Sequence, residues 1–381
     1  MAFVYLDNHA TTRVDPAVLE AMLPWFSERY GNASSAHPMG HLAEGAVVQA
    51  RAQVAALLNA SPAELVFTSG GTEGLNHALR GVMEAFPAKR HLVTTAVEHS
   101  AQLAVCDLLR RSGVEVTVVG VDGEGRLDLD ALEAAVRPDT ALVSVMAANN
   151  ETGVIFPMAE VAARAKAKGA LLHVDAVQAV GKVPVDVAAW GVDLLTLSGH
   201  KFHGPKGVGA LFIRRGLRLR PLMPGHQERG RRGGTENVPG LVGLGQAAEF
   251  AGARLPEMAR VAALRDQLEA AIRAIPESRF HGAGADRLPT ASLAGFAGVE
   301  GEALLLKLAE RGICVSTGSA CTTGQKEPSH VLKAMGAPEA FAKGTVRFSL
   351  SRETTAAEIE AVAALLPGLV AELRALSPFA R

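Results

Sequence analysis

The chain has 381 residues, 48% hydrophobic and 20% charged, enough for two substantial cores. With 38 basic and 39 acidic side chains its formal net charge is -1, so no global field draws it toward nucleic acid or an anionic membrane. No apolar run reaches membrane-spanning length, the opening MAFVYLDNHATT lacks the segments of a secretory signal, and Cys106, Cys314 and Cys321 fit no disulfide framework or paired-cysteine zinc pattern. A reducing, cytoplasmic setting is the expectation.

From about Glu64 to Gly209 short Val- and Leu-rich runs alternate with amphipathic stretches such as Glu160–Lys168. Strands are expected at Leu65–Thr68, His91–Thr95, Glu115–Val119, Ala141–Met146, Ala170–Val174, Asp193–Leu197 and Gly209–Ile213. Such alternation predicts an α/β fold with a mainly parallel seven-stranded sheet covered on both faces. After about residue 255 the texture changes. Long helical periodicity over Met258–Ile275 and Thr355–Leu373 surrounds strand candidates at Ala291–Phe296, Ile313–Ser316 and Val346–Leu350. We expect a large domain over 15–255, and a smaller α/β domain formed by 1–14 with 256–381.

Polar residues gather at the ends of the expected strands. Ser69-Gly70-Gly71-Thr72-Glu73 follows the first and Glu98-His99 follows the second. Asn149-Asn150-Glu151-Thr152-Gly153, Asp175 with Gln178, and Ser198-Gly199-His200 follow three more. Open α/β sheets bind ligands at the carboxyl edge of their strands, and five clusters on one edge indicate a site.

Lys201 stands just past a buried strand in a Gly-rich loop, where burial lowers a lysine pKa and makes it a Schiff-base former. A lone lysine is usually solvated; its neighbours reverse that reading. Asp175 ends a strand and suits the carboxylate that keeps a pyridine nitrogen protonated in pyridoxal 5'-phosphate, although helix capping is the plain alternative. Gln178, one turn later, is placed to reach that ring's phenolate oxygen. Gly71 and Thr72 open a helix whose N–H groups would cradle a phosphate, with Ser198 and His200 as further ligands. This is no nucleotide P-loop, because the lysine of that motif is missing. His99 is placed to stack on the ring or serve as acid–base. The pairs His37/His41 and His200/His203 have spacings that hint at a metal, but no carboxylate or thiol completes either set, so no metal is expected. Cys321 lies among Gly, Ser and Thr, a composition that predicts an exposed loop and a reactive thiol, whereas Cys314 and Cys106 read as core positions.

These residues carry a resemblance. The chain closely resembles the cysteine desulfurases of the class V aminotransferase superfamily, which have the fold-type I architecture. The matching segments include Tyr5-Leu6-Asp7-Asn8 with Ala10-Thr11-Thr12, Gly31–Ser35, Phe67–Glu73, Glu98-His99 and Asn149–Gly153. They continue through His173–Gln178, Ser198–Gly204, Gly233–Asn237, Ser316–Thr322 and Arg347–Ser351, nearly the whole length. The resemblance implies that Lys201 holds pyridoxal 5'-phosphate covalently, that Asp175 pairs with its ring nitrogen, and that His99 stacks on it. Asn150 and Gln178 would contact its hydroxyl side; Gly71, Thr72, Ser198 and His200 would hold the phosphate, with Thr235 from the second subunit of a homodimer. Arg347 with Asn32 would anchor the substrate carboxylate. Cys321, on a loop of the small domain, would receive the sulfur.

The implied reaction converts L-cysteine to L-alanine and passes a Cys321 persulfide to an acceptor or scaffold protein for iron–sulfur cluster or thiocofactor synthesis. Three positions depart from the family pattern. His9 replaces a small residue in D-N-A-A-T-T, and Gly71 and Gly74 stand where many relatives carry Ala and Ser; these are expected to tune the pocket. Competing readings are a selenocysteine lyase, an aminotransferase of the same superfamily, which has no need of Cys321, and a silent scaffold, which has no need of Lys201, Asp175 or His99. The seven arginines of 214–232 read as a solvated or subunit-facing surface rather than a nucleic-acid site, since no aromatic stacking set accompanies them.

Overall fold

Short β-branched and leucine-rich runs are too brief for helices and bury best as strands. The computed structural model describes residues 3–317 and 328–376. Its strands are β1 (Val4–Tyr5), β2 (Leu65–Thr68), β3 (His91–Thr95), β4 (Glu115–Val119), β5 (Thr140–Met146), β6 (Leu171–Asp175), β7 (Leu194–Ser198), β8 (Gly209–Ile213), β9 (Ser278–Phe280), β10 (Ala291–Phe296), β11 (Ile313–Cys314) and β12 (Thr345–Ser349). A seven-stranded sheet has the order β2-β8-β7-β6-β5-β3-β4. Every strand in it runs one way except β8, which is antiparallel to both β2 and β7.

Each face of this sheet is apolar, as parallel strands between helices require. On one, Leu142, Leu194 and Leu211 pack with Leu79, Val82 and Val105 from the helices Gly71–Ala85 and Ser100–Arg111. On the other, Leu172, Val174 and Leu195 pack with Ala50, Val161 and Leu244 from Pro38–Leu57, Met158–Ala167 and Val238–Ala253. A second core joins Leu6 to Leu268, Phe296, Leu304, Phe348 and Val362. There β12-β10-β9 form an antiparallel sheet, and β1 pairs with β11.

The observed strands match the sequence pattern, with small displacements at polar residues. Asp175 and Ser198 belong to the ladder instead of following it, in register with Met146 and Gly209. Hydropathy marks the apolar run, not the last backbone pair. Strands β1 and β9 are only 2 and 3 residues long, too short to leave a period. Inside the sheet, His173 bridges Ser144 Oγ at 2.8 Å and Thr196 Oγ1 at 2.9 Å. Burial pushes its pKa down to about 3, so this ladder is neutral and satisfied. No helix among the described residues is long and apolar enough to cross a membrane.

At the site edge, Gly209 packs backbone to backbone. A methyl group there would lie 2.5 Å from the Leu197 carbonyl and 2.9 Å from Gly70 Cα. We therefore expect Gly209→Ala to destabilise the fold by about 1–3 kcal/mol in a urea titration, by overpacking. Unchanged stability would show that this edge is looser than described.

Candidate active site

The turn leaving β2 is held open by glycine. Gly70 has φ of 145°, a conformation rare for residues with a side chain. The helix that follows begins at Gly71, and its first N–H groups have no intrahelical acceptor. They border a cleft of about 300 Å³ whose lining includes Thr11, Gly71, Thr72, Ser198, His200 and Lys206. Glu73 sits in the same turn but is committed elsewhere: it accepts the Ser69 N–H at 2.7 Å and Arg232 Nε at 3.0 Å. Burial opposes its ionisation, but those bonds prevail and hold its pKa below the usual value. Methyl groups at Gly71 and Gly74 would approach Val177 Cγ2 to 2.9 Å and Thr196 Cγ2 to 2.6 Å. The two glycine departures thus match their neighbours.

Lys201 lies on the connection between β7 and β8, at the end of a single 3-10 turn, Gly199–Lys201. Its Nζ donates to the carbonyls of His9 and Ala10, the latter at 2.8 Å. Asp175 ends β6, the middle strand of the sheet. Its carboxylate is buried and receives one hydrogen bond among the described residues, from the Val177 N–H at 3.0 Å. Burial pushes its pKa up to about 6; the Val177 bond and the charge of Lys201 pull the other way. Gln178 Nε2 donates to the His9 carbonyl at 2.9 Å, and its Oε1 accepts from Lys182 Nζ at 2.9 Å. Lys182 is itself buried, and burial, with Lys201 and Arg347 nearby, drops its pKa well below the ordinary lysine value.

His99 caps the helix Ser100–Arg111, its Nδ1 accepting the Ala101 N–H at 3.1 Å, which leaves the ring proton on Nε2. Burial, then Lys201 and His330, lower its pKa, so the ring is neutral near pH 7. Glu98 beside it is fully buried, and burial raises its pKa to about 8; its Oε1 accepts from Thr95 Oγ1 at 2.6 Å and the Met146 N–H at 3.1 Å. His330 donates from Nε2 to the Glu98 carbonyl at 2.9 Å.

Arg347, on β12, is buried; Nη1 donates to the Asn150 carbonyl at 3.0 Å and Nη2 to Asp7 Oδ1 at 2.8 Å. Ser316 pairs with it backbone to backbone, at 3.2 and 2.6 Å. Among the expected site residues, Asn32 stands apart. It is exposed, its Oδ1 accepts the Ser34 N–H at 2.9 Å, and no hydrogen bond joins it to Arg347 among the described residues. Thr235 is exposed and lines a second cleft that shares Ser69 and Gly207 with the first. Cys321 lies outside the described residues. Three of the four histidines in the His37/His41 and His200/His203 pairs are bonded locally: His37 Nδ1 caps a helix through the Gly40 N–H, His200 Nδ1 meets Thr11 Oγ1, and His203 Nδ1 donates to the Arg13 carbonyl.

The sequence reading missed Lys182; Asp7 and Glu98 were noted only as members of a motif and of a strand-end cluster, and their roles come from burial and partners. Taken together, the donor set fits a phosphorylated pyridine aldehyde. A buried carboxylate with one partner among the described residues suits a pyridinium N–H, a glycine turn at a helix start suits a phosphate, and a half-buried lysine lies within electrostatic reach of the carboxylate.

The Aminotransferase class-V family model matches residues 4–362. Cysteine desulfurase 2 of Trichormus variabilis is 56% identical over 381 residues, all of this chain and 96% of that relative. A solved structure titled NIFS-LIKE PROTEIN superposes with TM-score 0.92 at 41% identity, over 97% of this chain and 100% of its own. Another, SspA in complex with cysteine, superposes with TM-score 0.82 at 35% identity, over 92% and 100%.

The Asp175 environment has a stability consequence. A carboxyl whose folded pKa is raised costs nothing below its ordinary pKa of 3.8, then a growing penalty as pH rises to about 6 and a constant one above. In the cofactor-free protein, Asp175→Asn is therefore expected to raise stability above pH 7 by about 1–3 kcal/mol, with no gain near pH 4. Thermal denaturation at the two pH values checks it; a variant less stable at pH 8 contradicts the assignment.

Proposed function

The chain belongs to the class-V aminotransferase family and, within it, to the cysteine desulfurases, and from that premise we propose how its residues carry out the removal of sulfur from L-cysteine to leave L-alanine. The single observation that carries the reading is the convergence of Lys201 and buried Asp175 on the sheet edge that also holds the Gly71 turn.

Pyridoxal 5'-phosphate, when bound, supplies an electron sink that weakens bonds around the substrate's α-carbon. Lys201 would hold it covalently, and Asp175, kept anionic by a pyridinium partner, would balance the ring nitrogen. Gly71, Thr72, Ser198 and His200 would take the phosphate; Asn150 and Gln178 would face the ring hydroxyl. Arg347 keeps N–H groups beyond those given to Asn150 and Asp7, and these suit the substrate carboxylate in bidentate fashion. Lys201 Nζ then serves as the base that moves the proton at the substrate Cα. His99, neutral and protonated on Nε2, can donate a proton at the ring face and recover it.

Cys321 would attack the substrate sulfur as thiolate. An S–S bond forms, the substrate Cβ–S bond breaks, its electron pair stays with carbon, and protonation there completes L-alanine. The enzyme keeps the sulfur as a persulfide for an acceptor protein in iron–sulfur or thiocofactor synthesis. Support comes from both described flanks of the Cys321 segment: Ser316 lies on Arg347, and His330 on Glu98 next to His99.

A homodimer is part of this reading. Leu19, Leu23 and Phe26, at helical spacing, are 48%, 54% and 62% exposed, an apolar stripe suited to a second copy. Thr235, exposed in the single chain, would then be available to complete the phosphate site of the second copy.

Incubation with L-cysteine should yield alanine and a persulfide on the Cys321 peptide by mass spectrometry. We expect Cys321→Ala to keep the visible cofactor band but form no protein persulfide, and Lys201→Ala to lose alanine production by at least about a thousandfold. A persulfide that survives in Cys321→Ala would remove that residue from the mechanism.

A further inference from the structure

His9, read from the sequence as a departure from the family motif, is heavily tied. His9 is 1% exposed. Its Nδ1 lies 3.1 Å from the Asn150 carbonyl, which can only accept, so Nδ1 carries the proton and Nε2 accepts the Thr290 hydroxyl at 2.8 Å. Burial, then Lys182 and Arg347, hold its pKa well below the ordinary value, which keeps this single-proton tautomer at neutral pH. The backbone of the same residue donates to Ser349 Oγ at 3.0 Å and accepts from Gln178 and Lys201.

The Asn150 carbonyl receives two hydrogen bonds among the described residues, one from the His9 ring and one from Arg347 Nη1 at 3.0 Å. Asp7 steadies the other end of the guanidinium, and Nε has no partner among the described residues. The orientation of Arg347 therefore depends, beside Asp7, on a carbonyl whose other hydrogen-bond partner among the described residues is the His9 ring.

We infer that His9 is a positioning residue for substrate recognition: its ring clamps the Asn150 carbonyl, and through it the plane of Arg347, without touching the substrate. The inference rests on the reading of Arg347 as the carboxylate anchor. A ring that merely fills space would be replaced equally well by any side chain of similar bulk. A ring that works through its donor and acceptor would be replaced by glutamine and not by leucine.

The test uses holoenzyme, with L-alanine affinity followed by the visible band of the bound cofactor, beside steady-state kinetics for L-cysteine. Loss of one buried hydrogen-bond partner predicts that His9→Leu weakens L-alanine binding and raises KM by about tenfold each, with kcat lowered far less. His9→Gln should return both to within about threefold of wild type. Thr290→Val, which removes only the Nε2 partner, should shift both in the same direction by about threefold, and carries the test if His9→Leu does not fold. Equal loss in the Gln and Leu variants, or unchanged L-alanine binding in His9→Leu, overturns the inference. Arg347→Lys is measured alongside. If it leaves L-alanine binding intact, the anchor reading itself fails; if it weakens binding while His9→Leu does not, only the role of His9 fails.

Discussion

A carboxylate buried at the end of the middle strand is the constraint around which the rest of the structure is arranged. Asp175 is held there by the β5 and β7 ladders, and burial makes its charge expensive. The surrounding protein offers one N–H and the field of Lys201, which offset only part of that cost. Such a group persists because the two flanking cores over-determine the strand. It becomes favourable when a cationic ring nitrogen is placed beside it. The Gly70-Gly71 turn and the Lys201 connection lie on the same sheet edge, so one ligand can satisfy all three.

The second core supplies the other half of the site. The N-terminal segment crosses from β1 to the sheet edge, tied by Asn8 to the Ser349 carbonyl and by its own His9 and Ala10 carbonyls to Lys201. Arg347, two residues before Ser349 on β12, reaches Asp7 and Asn150. Lysine, carboxylate and guanidinium thus come from three distant stretches of chain, and short polar segments rather than hydrophobic packing bring them together. The cores set where the segments lie, and the hydrogen bonds set how they point.

Much of this was legible in the amino-acid order. Strands buried on both faces are continuous apolar runs, and the edge strand β4 alternates in Val and Thr, so the seven main strands were readable to within a residue. The polar residues that end them, Lys201, Asp175, Gln178, Ser198 and the Gly71-Thr72 turn, stood out because a sheet releases its functional groups at one edge. Lys182 did not, and Glu98 stood out by place but not by its raised pKa. A lysine after a glycine turn reads as solvated, and only the fold shows that its ammonium is enclosed against Gln178. Asp7 was visible as part of a motif but not as the partner of Arg347, which is 340 residues away in sequence. Asn32 illustrates the converse: its motif was clear, yet in the single chain it is exposed and bonded only locally.

A half-buried lysine, Lys201, and a buried one, Lys182, stand in one electrostatic neighbourhood, which makes the central assignment sharp. Borohydride reduction of the holoenzyme, followed by proteolysis and peptide mass spectrometry, locates the pyridoxyl group on a single side chain. The geometry predicts the label on the peptide containing Lys201 and none on the peptide containing Lys182. A label on Lys182, or a protein that takes up no pyridoxyl group at all, would contradict it.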